Sequence, residues 1–257
     1  MRFYDNLLKN INIAILEGIV TFGNNEGRFC RELSICYDKF QKSEDVSEQN
    51  IIISQYLNAF ENFAKVFKII RNIDSNTGNR YKLLNLIFNE YIPAIDKEYS
   101  PSSIDIYSER ANLFGLTHGK ATSAFSKIAF LYKPNLYFPF DRTARESLEK
   151  FMMEKGLRIN LDRNYLNYSN IINVAFNEFD QCHKVKDFII SKEYLSKFNF
   201  NKDFLTKRLN NFYETCNMLN ITDIDNFIYR RAFDKSLMIY GGFNASNLVV
   251  FTDGIIK

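Results

Sequence analysis

The chain of 257 residues contains no tryptophan, two histidines, four cysteines, four prolines and ten glycines. Each scarcity excludes something. Cys30, Cys36, Cys182 and Cys216 form no Cys-x-x-Cys pair, so their spacing suits neither a zinc site nor an iron–sulfur loop. They read as separate buried or free thiols. No apolar run approaches the roughly 20 residues that a membrane span needs. The opening residues, Met1 to Asn10, carry Asp5 and no unbroken apolar stretch, unlike a secretion signal. A cytoplasmic location is the expectation. The net charge of +3 does not by itself argue for a nucleic-acid partner, although a local basic face remains open. Composition asks for no cofactor and no metal.

What is present is an aromatic, periodic chain. Phe occurs 25 times and Tyr 15 times, and charged residues make up 25%, a globular and not a disordered balance. Apolar residues recur at helical spacing through DNLLKNINIAILEGIVTF, SEQNIIISQYLNAFENFAKVFKIIRNI and YKLLNLIFNEYI. The same period runs through YSPSSIDIYSERANLF, RTARESLEKFMMEKGL, NYSNIINVAFNEFDQC, KDFLTKRLNNFYETCNML and DIDNFIYRRAFDKSLMIYG. No segment alternates like a strand. The fold class is all-α, with about ten helices. Several boundaries follow. Gly23 to Gly27, with two asparagines between, reads as a turn. Ser47 reads as an N-cap, DSNTGNR as a break, and Gly156 as a C-terminal glycine. Arg230 and Arg231 read as the solvated basic edge of a packed helix. His183 shows no partner.

One stretch, Gly115 to Arg142, carries more than periodicity: GLTHGKATSAFSKIAFLYKPNLYFPFDR. Gly115 and Gly119 bracket a tight turn, and a new helix is expected from Lys120. Consecutive amides at such a turn favour a phosphate; an ordinary connection between packed helices uses the same residues. Asp141 follows Pro139 at the mouth of the next helix. There a carboxylate accepts backbone N–H bonds and meets the positive end of the helix dipole, which favours its charged form. A plain helix cap is one reading. A fixed anion that stabilises a developing positive charge is the other.

Together the two pieces resemble the helix-hairpin-helix DNA glycosylase superfamily. The signature there is a glycine hairpin, a helix, a Lys-Pro and a Val-Pro-Val-Asp type element. Here these are Gly115 and Gly119, Lys133-Pro134, and Phe138-Pro139-Phe140-Asp141. Phe114 stands where the usual hairpin has proline. The resemblance covers residues 113 to 157. It implies two helical lobes with a cleft between them, the hairpin lobe at about 95–200 and the second lobe from 1–94 with 201–257. It implies duplex DNA as partner, no cofactor, no obligate protein partner, and a monomer. The activity implied is excision of a damaged or modified base after flipping it from the stack. Asp141 would be catalytic. Lys120, in the place of the 8-oxoguanine branch's lysine, or Lys127, fourteen residues before Asp141, would be the nucleophile if there is one. Gly115, Thr117, His118 and Gly119 would grip the DNA backbone, with Lys133, Arg142 and Arg145 adding phosphate contacts. Bacterial antiphage glycosylases acting on bulky modified cytosines are one specialised type of this kind. A DNA-binding protein without catalysis and a helical protein-interaction module are the rival readings.

Overall fold

The computed structural model describes Phe3, Leu7 and residues 11–161, 164–180 and 202–242. The described residues are helical, with one isolated antiparallel bridge, Ile73 to Thr117, and no named strand. In chain order the helices are α1 (Ile11–Thr21), α2 (Gly27–Lys42), α3 (Val46–Val66), α4 (Thr77–Leu86), α5 (Ile92–Lys97) and α6 (Pro101–Leu113). There follow α7 (Thr122–Tyr132), α8 (Arg142–Glu154), α9 (Tyr165–Asp180), α10 (Lys202–Met218) and α11 (Ile224–Tyr240). None of the described helices is long and apolar enough to cross a membrane.

The chain forms two compact units. The first comprises 1–28, 141–160 and 170–257; the second comprises 29–140 and 161–169. The N- and C-terminal segments thus build one unit, and the hairpin lies in the other together with α3 and α4.

In the first unit α11 packs on α1 and α8. A Cβ added at Gly18 would lie 3.0 Å from the Cβ of Arg231, so glycine lets α1 and α11 approach closely. The expected turn at Gly23–Gly27 is instead a π-helical turn, Phe22–Glu26, that carries α1 directly into α2. The glycines answer to packing, because a Cβ at Gly23 would stand 2.6 Å from the Arg208 carbonyl oxygen of α10. Phe22 meets the rings of Phe212 and Phe227 edge-on at centroid distances of 5.7 and 4.8 Å. On α8, Ser147 donates to the Leu237 carbonyl of α11 at 2.8 Å. Gly156, with φ +80°, closes α8 as expected: the Leu157 amide reaches the Met152 carbonyl and the Gly156 amide that of Met153.

The second unit has an aromatic core around Tyr37, Phe40, Tyr56 and Phe88. The N-cap of α3 is Asp45, whose carboxylate accepts from the Ser47 amide; Ser47 lies inside the helix. Asp is the stronger acceptor and sits where the backbone is extended, at ψ 122°. The break before α4 is also shorter than expected. Asn76 caps Gly78 and Asn79, so helix begins at Thr77. Two tyrosine hydroxyls are put to structural use: Tyr165 and Tyr168 donate to the carbonyls of Phe138 and Pro139 at 2.8 and 3.0 Å. With Ser126 accepting the Phe140 amide at 3.0 Å, the Phe-Pro-Phe break is fixed against α7 and α9.

Candidate nucleic-acid interface

The hairpin belongs to the second unit. Gly115 and Gly119 adopt φ +65° and +76°, the left-handed region. A Cβ at either would meet nothing within 4 Å, so the need is for backbone conformation and not for room. Between them Thr117 is buried, pairs with Ile73, and donates its hydroxyl to the Gly119 carbonyl at 3.0 Å. Three hairpin amides are already used. Gly115 donates to Asn112, Leu116 to Ala111, and His118 to Asn72. The amide of Asp74 in turn donates to Leu116. The expected run of open amides is therefore shorter and shifts toward α7. That helix starts at Thr122, two residues later than expected. Its N-cap is Ala121, which has no side chain able to cap, and its first turn holds no acidic residue. The Ala124 and Phe125 amides donate to the Ala121 carbonyl, and Ala121 and Thr122 are buried, so half-buried Ser123 is the most open residue of this turn, where the dipole favours an anion.

Lys120 precedes that helix. Its Nζ lies 3.3 Å from Asp105 Oδ1, and Asp105 also accepts the first amides of α9, from Tyr165 and Leu166. The ammonium is thus held at a fixed point beside the hairpin. Lys127 is 8% exposed and donates to the Phe67 carbonyl at 3.0 Å. Phe67 is the C-cap of α3, so this ammonium meets the negative end of a helix dipole. Lys133 pairs with Asp96 at 3.0 Å.

Asp141 belongs to the first unit. It is the N-cap of α8 and accepts from the Thr143 amide at 2.9 Å. Arg142, exposed at its side chain, pairs with Glu146 at 2.7 Å, and Arg145 is half-buried on the same first turn. A phosphate at Lys133 or Arg142 would have to compete with these carboxylates.

The structure corrects the reading of the C-terminal helix. Arg231 is not on a solvated edge: it is 2% exposed. It donates to Glu26 at 2.5 Å and to Asp234 at 3.0 Å, while Lys235 stands 3.3 Å from Glu26. Arg230 lies over the Phe176 ring at 5.2 Å. Neither the place of Glu26 in this cluster nor that of Asp105 carries a signal in the sequence, since Arg231 and Tyr165 lie far along the chain from them. Among the described residues Cys30, Cys36 and Cys216 form no disulfide. Burial pushes Cys216 up to about 12 and Cys36, despite Lys39, up to about 11. His183 and Cys182 lie outside the described residues.

No family model, curated protein or solved structure matches this chain.

Proposed function

We propose that the protein is a DNA glycosylase acting on a damaged or modified base in duplex DNA. The observation that carries the reading is the hairpin: two left-handed glycines lead into a helix whose N-cap, Ala121, cannot cap it. Such an N-terminus suits a DNA phosphate, which needs no sequence information from the protein. Asp141 supports the catalytic half. It is an aspartate at a helix N-terminus directly after a proline break, held by the Thr143 amide. Cleavage of an N-glycosidic bond builds positive charge on the sugar, and a fixed carboxylate stabilises that charge electrostatically. Water, or a lysine, then takes the sugar carbon.

Of the two lysines the reading favours Lys120. Lys127 is committed to the Phe67 carbonyl in a buried position, whereas Lys120 sits half-buried beside the hairpin on a single carboxylate. A lysine that attacks gives a Schiff base and permits strand cleavage; without one the product is an abasic site. The finer type, an antiphage enzyme for bulky modified cytosine, rests on the resemblance alone.

The test is direct. Duplexes carrying single oxidised, alkylated, deaminated, or hydroxymethylated and glucosylated bases are incubated with the protein, then probed for abasic sites. Abasic sites on at least one are expected. Intact DNA throughout, with undiminished duplex binding, would leave the non-catalytic DNA-binding reading in its place.

A further inference from the structure

On the flank of the hairpin lies an open groove of about 410 Å³, within the roughly 300–1,000 Å³ range of small-ligand sites. Tyr81, Lys82, Asn85, Leu86 and Glu90, from α4 and the π-helical turn Ile87–Tyr91, form one side. Phe114 and Leu116, the residues on either side of Gly115, form the other. The groove therefore shares its wall with the hairpin.

Its chemistry is mixed in a particular way. Phe114 is 59% exposed, unusual for a phenylalanine in a chain that buries most of its aromatics, and Leu113 next to it is 75% exposed. The ring is not loose. Arg110 stands over it at 5.3 Å and is tied to Glu90 by an ion pair. Tyr81 is held by a hydrogen bond to Asn50 at 2.6 Å. Asn85 accepts from Asn89 at 2.8 Å, which orients its carboxamide and leaves the amide nitrogen as a donor. Lys82 is exposed and makes no ion pair among the described residues.

A braced aromatic ring, an oriented carboxamide and an unpaired ammonium in one groove match the base face, the base edge and the phosphate of a nucleotide. The ring stacks on the base, the amide meets the base edge, and the cation meets the phosphate. A purely hydrophobic ligand would leave Lys82 and Asn85 without purpose. A simple anion would leave Phe114 exposed.

We infer that this groove binds one nucleotide of the DNA strand that the hairpin holds, stacking its base on Phe114. The inference rests on the hairpin being a DNA grip; it does not need the protein to cleave anything. It also gives a reason for a phenylalanine where the resembling family has proline: the position acts as a stacking platform and does not merely shape the turn.

The absence of tryptophan makes the test clean, because Phe114→Trp places the only indole of the chain in the groove. The full-length variant is titrated with a thymidine trinucleotide, free dTMP, an abasic trinucleotide spacer and inorganic phosphate. Saturable quenching by the trinucleotide is expected, with the spacer and phosphate silent. Weaker saturable quenching by dTMP identifies a nucleotide of a strand as the preferred source; equal affinity identifies free nucleotide. Lys82→Ala in the same background, and Phe114→Ser in the otherwise unaltered chain followed by calorimetry, should each weaken binding about tenfold, the scale of one stacked base or one phosphate contact. Both residues are exposed, so the fold is not at stake. Quenching by the spacer equal to that by the trinucleotide, or no saturable quenching at all, overturns the inference. Quenching that saturates in a protein that releases no base from any duplex upholds the groove while removing the glycosylase reading. Base release with a silent groove does the reverse.

Discussion

Arg231 reaches across 205 positions of the sequence to place its Nη2 2.5 Å from Glu26 Oε2, and both side chains are almost wholly buried. The π-helical turn is what presents Glu26 to α11, so a local irregularity of the helix and a long-range ion pair depend on each other. Removing one partner of a buried pair leaves the other charge unsolvated, at about 3–5 kcal/mol. Glu26→Gln should therefore lower the unfolding free energy by that amount in urea titrations. Glu26→Met with Lys235→Met keeps the Arg231–Asp234 pair at 3.0 Å, and should recover most of the loss. A double variant as unstable as the single one would mean that the cluster is held by more than charge.

The cluster also sets an acid response. Burial pushes the Glu26 carboxyl up, but Arg231 and Lys235 outweigh it and hold the group below its ordinary value of 4.5. Its stabilising contribution is thus present above that value and is lost as pH falls through the lower folded value. Asp234 runs the other way. Burial raises it above 3.8 despite Arg231 and Lys235, so its contribution is present below 3.8 and is lost as pH rises through the folded value. Acidification should relieve Asp234 as pH falls through its raised folded value, and the Glu26 contribution should decline below pH 4.5. Urea midpoints between pH 7 and 3 should show Asp234→Asn lacking the gain and Glu26→Gln lacking the loss. Identical acid slopes for wild type and Glu26→Gln would contradict the assignment.

Gly27 lies in a helix, where alanine normally stabilises by about 1 kcal/mol. Here a Cβ would lie 2.5 Å from the Phe22 carbonyl oxygen and 2.8 Å from Thr215 Cγ2. Gly27→Ala, like Gly23→Ala, should destabilise by about 1–3 kcal/mol, as overpacking does. A raised melting temperature for either would show that α10 yields freely.

These two glycines mark where sequence reasoning fails. Gly-Asn-Asn-Glu-Gly is turn chemistry by local rules, and only α10, about 190 residues away, makes it helix. The all-α class, the caps at Asp141 and Gly156 and the left-handed glycines at 115 and 119 were legible, because each depends on neighbours in sequence. Arg231, Asp105 and the groove beside Phe114 were not. Their meaning comes from partners that periodicity cannot name.

For the hairpin, the φ values decide the outcome. Gly115→Ala and Gly119→Ala force a Cβ into the left-handed region, at about 1–2 kcal/mol each. Asparagine should cost less, since its short polar side chain tolerates that region. Gly119→Asp adds a negative charge where a phosphate is proposed, so duplex affinity should fall to a similar degree for unrelated sequences. Affinity unchanged at moderate salt would remove the grip.

Asp141→Asn tests the catalytic role with little disturbance of structure. Asparagine caps a helix about as well as aspartate, so stability should change by less than about 1 kcal/mol. Duplex binding should persist. If the carboxylate stabilises positive charge on the sugar, base release should fall by about two or more orders of magnitude. Borohydride reduction then separates the lysines. Wild-type protein is trapped on DNA only if an amine attacks the sugar carbon. With Lys120 on Asp105 and Lys127 on the Phe67 carbonyl, Lys120→Gln should abolish the trapped band. Lys127→Gln should keep the band while lowering stability, because it withdraws a buried cation from the end of α3. No band with intact base release would make water the nucleophile. Full base release by Asp141→Asn would reduce Asp141 to the helix cap that its bond to Thr143 already makes it.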